Sequence, residues 1–132
     1  MIFKIIIDAN VWIKYARAKD IAPLLNRFVQ YNLLPVTSNY LLSEVFDELV
    51  ENKWMDEKQA QRIIAFIKNI TYNTIERAVY GVSPDPKDNY LFDLAVQNNC
   101  VFIISDDSEL VRFSLKPVSV HTSSWFLKNF RC

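Results

Sequence analysis

Short runs of β-branched residues alternate with segments of helical periodicity along this chain. Residues 2–7 (IFKIII) are apolar on both faces apart from Lys4, a pattern typical of a buried strand. Shorter strands are predicted at 34–37, 101–104 and 118–120, each separated from the next by helical segments. Strands joined by helical crossovers form parallel sheets. The alternation therefore predicts an α/β fold with a central parallel β-sheet of about four or five strands flanked by helices.

The predicted helices lie between and after these strands. Residues 39–51 show the clearest period, with apolar side chains recurring at helical spacing. A turn-rich segment, GVSPDP, interrupts the pattern at 81–86, and no repeat or linker is visible in the sequence. Since 132 residues make one domain of ordinary size, residues 1–132 are expected to form a single domain. The remaining helices are predicted at 11–18, 21–31, 55–70, 86–99, 110–113 and 123–130.

The composition excludes several functional classes. One glycine in 132 residues leaves no room for a P-loop or a dinucleotide fingerprint, and a single histidine excludes multi-histidine metal cages. Two cysteines do not make a secreted disulfide framework, and the apolar N-terminus is too short for a signal peptide or a membrane span. These features predict a cytoplasmic protein with no membrane association. The formal net charge of zero indicates no global basic field for nucleic acid, which leaves room for a local one.

Acidic residues occur at the predicted ends of strands and the starts of helices. Asp8 directly follows the first strand, and Asp106 and Asp107 follow the third. Asp88 opens the helix before that third strand, and Glu44 lies in the first turns of the helix after the second strand. The carboxyl ends of parallel strands meet at one edge of a sheet, where such folds place their ligand sites. We therefore expect these acids to converge at one end of the molecule.

Each acid also has an ordinary structural explanation. Asp85 and Asp106 fit the helix N-cap template, with Asp88 and Glu109 three residues further on. Glu44 fits a solvated helix face, and Glu48 lies closer than Glu44 to the apolar stripe on a helical wheel. Capping alone, however, does not require that the capped ends share one edge of one sheet.

A cluster of carboxylates needs a cation. Two carboxylates about 5 Å apart repel by about 3 kcal/mol at an effective dielectric constant of about 20. Three or four of them cannot all stay ionised without a bound cation or a large rise in pKa. Oxygen ligands without thiol or imidazole suit Mg²⁺ or Mn²⁺, and the waters that such ions retain are nucleophiles for phosphodiesters. The expected chemistry is metal-dependent phosphodiester hydrolysis.

Four motifs occur in order along the chain: IIIDANVWI, LLSEVFDEL, DPKDNYLFDLA and IISDDSEL. Together they resemble the PIN-domain family of ribonucleases, and most of all the VapC-like toxins of toxin–antitoxin pairs. The resemblance extends from Ile5 to the C-terminal tail. It implies a Mg²⁺- or Mn²⁺-dependent endoribonuclease and a small antitoxin partner that covers the acidic cleft. Dimers are common among proteins that look like this one, so a homodimer is a further expectation.

The resemblance also assigns residues. It maps the family's metal-binding and catalytic acids onto Asp8, Glu44, Asp88 and Asp107. Supporting positions fall on Asn10, Ser105 and Asp106. Two positions depart from the family pattern: Ala9 replaces a common hydroxyl residue, and Asp106 adds a fifth carboxylate beside Asp107. The alignment gives Asp107 to the metal and leaves Asp106 as the cap of the short helix that follows.

Basic and aromatic residues supply candidates for contacting RNA. Lys14 and Arg17 lie three residues apart on the predicted helix after Asp8, and Lys87 precedes Asp88. These three are the RNA-binding candidates, against the simpler alternative of a solvated face. Without a long basic stripe, the expected substrate is single-stranded or loop RNA rather than an extended duplex.

Two alternatives remain open at this point. A haloacid-dehalogenase-like phosphatase also places an aspartate after its first strand, but it needs a second aspartate where this chain has Asn10. A catalytically silent PIN scaffold that binds RNA or a protein partner would not need all four acids. Cleavage of a labelled RNA that is lost on adding EDTA separates an enzyme from a scaffold.

Overall fold

A computed structural model describes residues 1–74, 89–113 and 117–132 of the chain, with the side chain of Asn89 left out. The predicted turn at 81–86 lies outside the described residues. The helices and strands alternate in the order β1 (Phe3–Ile7), α1 (Ala9–Arg17), α2 (Ala22–Gln30), β2 (Leu33–Thr37), α3 (Asn39–Glu51), α4 (Glu57–Ile70), β3 (Tyr72–Asn73), α5 (Asn89–Gln97), β4 (Ile103–Ile104), α6 (Ser108–Arg112), β5 (Val120–His121) and α7 (Ser123–Asn129).

The strands form one sheet in the order β3-β2-β1-β4-β5, and every pairing in it is parallel. β1 is central, with Ile5 opposite Pro35 of β2 and Ile6 opposite Ile103 of β4. Ile5, Ile6 and Ile7 are fully buried, because helices cover both faces of a parallel sheet. The predicted α/β fold with a parallel sheet flanked by helices is confirmed.

Several predicted boundaries are wrong. β3, at Tyr72–Asn73, was not predicted, because its two residues are exposed and its place depends on backbone pairing with Val36 and Thr37. The strand expected at 101–104 is reduced to Ile103–Ile104, and the one expected at 118–120 is Val120–His121. The helix expected at 11–18 begins earlier, at Ala9, because the Asp8 side chain caps it.

Side-chain caps begin most of the described helices. Ser38 caps α3, and Asp56 forms a capping box with Gln59 at the start of α4. At helix ends the chain uses left-handed residues other than glycine, including Lys19 with φ of 55° and Lys53 with φ of 57°. Within the described residues, no helix is long and apolar enough to cross a membrane.

Candidate active site at the carboxyl end of the sheet

The site begins where β1 and its neighbour β4 end. Asp8 follows β1, and Ser105 follows β4, so parallel pairing places them at the same edge of the sheet. The backbone N–H of Asp8 donates to the Ile104 carbonyl at 2.8 Å, which extends the pairing by one residue. Both side chains are buried, Asp8 at 7% exposure and Ser105 at 0%.

Hydrogen bonds fix both carboxylate oxygens of Asp8. Oδ1 accepts from the backbone N–H of Ala9 at 2.7 Å, which caps α1. Oδ2 accepts from Ser105 Oγ at 2.7 Å and from Asn10 Nδ2 at 3.3 Å. The N-terminal end of a helix favours a negative charge, so the cap also supports the ionised form. Asp8 is therefore held in one orientation.

Ser105 connects Asp8 to the segment that carries the last two acids. While its hydroxyl donates to Asp8, the same oxygen accepts from Asn10 Nδ2 at 3.4 Å and from the backbone N–H of Asp107 at 3.2 Å. Asn10 in turn accepts at Oδ1 from the backbone N–H of Asp106 at 3.2 Å. Two of the three supporting positions, Asn10 and Ser105, are thus in direct contact with Asp8.

The electrostatic environment of Asp8 favours its protonated form. Burial is the largest cause that raises the pKa of Asp8, to about 6, and the neighbouring carboxylates of Glu44 and Asp107 raise it as well. The hydrogen bonds from Ser105 and Ala9 act in the opposite direction. A buried carboxylate with two acidic neighbours is a place that favours a cation.

Glu44 reaches this site from α3, where it is half-buried, whereas Glu48 one turn later is exposed. The helical-wheel expectation that Glu48 lies closer to the interior is therefore wrong. The hydroxyl of Tyr90, on α5, donates a hydrogen bond to Glu44 Oε1. The Tyr90 ring packs edge-on against Tyr40, with ring centroids 4.6 Å apart. Sequence reasoning missed this role of Tyr90, because the two partners are 46 residues apart.

Asp106 and Asp107 have different partners, and the expected cap is wrong by one residue. Asp107, rather than Asp106, caps α6, because its Oδ1 accepts from the backbone N–H of Glu109 at 3.0 Å. Asp106 is turned toward α7, where its two carboxylate oxygens accept from the backbone N–H of Ser123 at 2.8 Å and from its hydroxyl at 2.7 Å. Of the two, it is the Asp107 carboxylate that raises the pKa of Asp8.

The basic candidates are spread along α1. Lys14 donates to Ser123 Oγ at 3.1 Å and lies 3.8 Å from Asp106 Oδ2, with over half of its side chain exposed. Arg17, the last residue of the helix, lies over the Trp54 ring at 3.7 Å from its centroid. Lys87 and Asp88 lie outside the described residues.

One further acid was missed. Asp93 lies in the middle of α5 and is only 3% exposed. The signal was present in the sequence as a single carboxylate within the apolar run LFDLAV, where a solvated residue is not expected. The capping template applies to Asp88 and not to this position.

The donor chemistry of the site fits a hard divalent cation. Asp8, Glu44 and Asp107 offer carboxylate oxygens, and neither of the two cysteines nor His121 is among the groups that shift the pKa of Asp8. Among the described residues, no group of three or more His, Cys, Asp or Glu side chains lies close enough together to hold a metal ion. The complete set of four predicted acids includes Asp88, which is not among them.

Comparisons with known proteins identify the fold. The crystal structure of PAE2754 from Pyrobaculum aerophilum aligns with a TM-score of 0.65 over 97% of this chain and 95% of that one, at 10% sequence identity. At that identity the likeness shows the fold alone. No curated protein matches the sequence. The PIN domain profile, in contrast, matches residues 4–109, which disfavours the haloacid-dehalogenase alternative. PIN domains are generally nucleases and usually use divalent metals, and this chain belongs to the PIN domain family.

Proposed function

We propose that the protein is a Mg²⁺- or Mn²⁺-dependent endoribonuclease. The observation that carries this proposal is the buried carboxylate of Asp8, whose pKa is raised to about 6 beside Glu44 and Asp107. Burying such a group lowers the stability of the folded protein, and an interaction with a cation or a substrate offsets that loss. Membership of the PIN domain family, a nuclease-type fold, supports the same conclusion.

The residues have separate tasks in this proposal. Asp8, Glu44, Asp88 and Asp107 would hold the ion, which supplies the positive charge that activates water and stabilises the phosphate in hydrolysis. Ser105 and Asn10 keep Asp8 Oδ2 oriented. Tyr90 orients Glu44 by donating to one of its oxygens. Asp107 Oδ1 accepts from the backbone N–H of Glu109, which holds this carboxylate at the start of α6.

Single-stranded or loop RNA is the proposed substrate. A duplex needs many phosphate contacts, and the formal net charge of zero supplies no broad basic surface for them. An unpaired strand needs few contacts and can bend to bring one phosphate to the acids. Lys14, Arg17 and Lys87 are proposed to contact the flanking phosphates.

A role as a toxin in a toxin–antitoxin pair is the finer part of the proposal. It is supported by the four ordered motifs from Ile5 onward and by their resemblance to VapC-like proteins. The expected partner is a small antitoxin that covers the acidic cleft. Co-purification of the chain with the product of a neighbouring reading frame, and loss of cleavage in that complex, would test this part.

The central experiment is cleavage of a hairpin with an unpaired loop and of a matched perfect duplex, with Mn²⁺ or with EDTA. We expect Mn²⁺-dependent cuts in the loop by wild type and by the exposed-acid control Asp47→Asn, and none by Asp8→Asn. Equal cutting by Asp8→Asn would indicate a contaminating nuclease. RNA binding without cleavage by wild type would favour the silent scaffold, and equal cutting of the duplex would contradict the substrate class.

A further inference from the structure

A polar cluster lies beside the acidic site and ties three elements together. Ser123, the first residue of α7, donates its backbone N–H to Asp106 Oδ1 at 2.8 Å and its hydroxyl to Oδ2 at 2.7 Å. Lys14 of α1 donates to the Ser123 oxygen at 3.1 Å and lies 3.8 Å from Asp106 Oδ2. Ser123 is 1% exposed, so these bonds form in a partly desolvated setting that strengthens them.

The main chain of Asp106 faces the acidic site. The backbone N–H of Asp106 donates to Asn10 Oδ1 at 3.2 Å, and Asn10 Nδ2 donates to Asp8 Oδ2 at 3.3 Å. The next backbone N–H, that of Asp107, donates to Ser105 Oγ at 3.2 Å. Residue 106 is therefore anchored on two sides, by its side chain to α7 and by its main chain to the Asp8 network.

Helix capping accounts for only part of this cluster, because Asp106 Oδ1 accepts from the Ser123 N–H, the first free backbone donor of α7, while the other contacts of Asp106 lie outside the cap. α7 has its own N-cap, since Thr122 Oγ1 accepts from the backbone N–H of Trp125 at 3.1 Å. α6 is capped by Asp107. The carboxylate of Asp106 also lies beside the Lys14 ammonium, which offsets a negative charge next to an already acidic site.

The anchoring of residue 106 opposes the repulsion between neighbouring carboxylates. Ser105 Oγ contacts both Asp8 Oδ2 and the Asp107 N–H, so the like-charged side chains of Asp8 and Asp107 are neighbours, and a contact that anchors residue 106 opposes the repulsion between them. We propose that Asp106, clamped by Ser123 and Lys14, is a positioning residue that holds Asp107 and Asn10 against Asp8 so that the acids are in place before a divalent ion binds. This inference rests on the proposed function, because it assigns the cluster a task in that same site.

The test compares Asp106→Ala with Thr122→Ala, a matched control that also removes one cap acceptor at the start of α7 but leaves residues 105–107 untouched. The first readout is the metal-free protein: amide hydrogen exchange at the Asp107 N–H should speed up by about tenfold in Asp106→Ala and stay unchanged in Thr122→Ala. The second is Mn²⁺ affinity by calorimetry, which should fall by about tenfold in Asp106→Ala only.

Two further variants sharpen the result. Asp106→Asn keeps an oxygen for the Ser123 N–H and should restore most of the Mn²⁺ affinity. Ser123→Ala removes the hydroxyl alone, and it replaces Asp106→Ala if that variant does not fold. Equal Mn²⁺ affinity in Asp106→Ala and wild type, or an equal loss in Thr122→Ala, would overturn the positioning role and leave the proposed function standing. A wild-type protein that binds no Mn²⁺ would overturn both.

Discussion

The two ends of α1 present opposite kinds of surface. At its N-terminal end, Asp8 and Asn10 belong to a closed hydrogen-bond network with Ser105. At its C-terminal end, the Arg17 guanidinium lies over the Trp54 ring, and both residues line an open groove between α1 and α4. One end is acidic and fixed by directional bonds, and the other is basic and aromatic.

The two ends of α1 suit different tasks, the first the reaction and the second contact with substrate. Directional hydrogen bonds and burial hold Asp8 in one orientation, which chemistry at a phosphate requires. The groove is held by apolar packing and a cation–π contact, which tolerate displacement. We therefore expect substitutions at the first end to abolish activity and those at the second to weaken binding. Within the described residues, the buried Trp12 Nε1 that lies between these ends has no hydrogen-bond partner.

The largest effect is expected from Asp8→Ala. Groups that act as a unit in catalysis lose nearly all activity when one is removed, so cleavage should fall by about 10³-fold or more, or about 4 kcal/mol. Arg17→Ala should raise KM and leave kcat nearly unchanged, because Arg17 lies at the far end of the helix. Initial rates on the hairpin substrate in Mn²⁺ measure both. A loss in kcat for Arg17→Ala as large as that for Asp8→Ala would refute the division.

Asp8→Asn should stabilise the metal-free protein in a pH-dependent way. The pKa of Asp8 in the folded state is about 6, above the value of about 3.9 expected when unfolded. The folded state therefore binds more protons between these values, and wild-type stability falls as pH rises from about 4 to about 6. Above that window the variant should gain about 3 kcal/mol, and below about pH 4 the gain should vanish.

Urea unfolding at pH 4 and pH 8 in EDTA measures that gain. Asp47→Asn, on the exposed face of α3, is the control and should change stability little at either pH. A gain for Asp8→Asn that is the same at both pH values would show that burial and the neighbouring acids do not penalise the charge. Added Mn²⁺ should reverse the order by stabilising wild type and not the variant.

The sequence was sufficient for the parallel α/β fold and for the edge at which Asp8 and Ser105 meet, because alternating elements determine where strand ends lie. β3 was beyond prediction, since two exposed residues carry no pattern. The cap of α6 was misassigned because Asp106 and Asp107 are adjacent and either fits a capping template. The bonds from Tyr90 to Glu44 and from Ser123 to Asp106 join residues 46 and 17 positions apart, and only the folded chain brings them together.

Charge reversal at Lys14 and at Arg17 should change the salt dependence of RNA binding alike and Mn²⁺ binding differently. If each contacts one phosphate, each change should weaken RNA binding and reduce the slope of log K against log salt by about 0.7, the value for one contact to a single strand. Lys14→Glu also places an acid beside Asp106, so it should weaken Mn²⁺ binding as well, whereas Arg17→Glu should not. Fluorescence anisotropy in EDTA and calorimetry with Mn²⁺ measure the two effects. An unchanged slope in both variants would show that neither Lys14 nor Arg17 contacts the RNA phosphates.

The smallest expected effect is a gain in stability at the C-terminal end of α1. Lys19 ends the helix in the left-handed region, with φ of 55°, and its N–H donates to the Ala16 carbonyl at 3.1 Å. A side chain at Cβ is disfavoured there, so Lys19→Gly should raise the free energy of unfolding by about 1 kcal/mol, less the entropy that glycine adds to the unfolded chain. Gln61→Gly, at an exposed position inside α4, should lower it by a similar amount. Urea denaturation of both variants tests this, and destabilisation by Lys19→Gly would mean that the Lys19 side chain contributes more than its backbone strain costs.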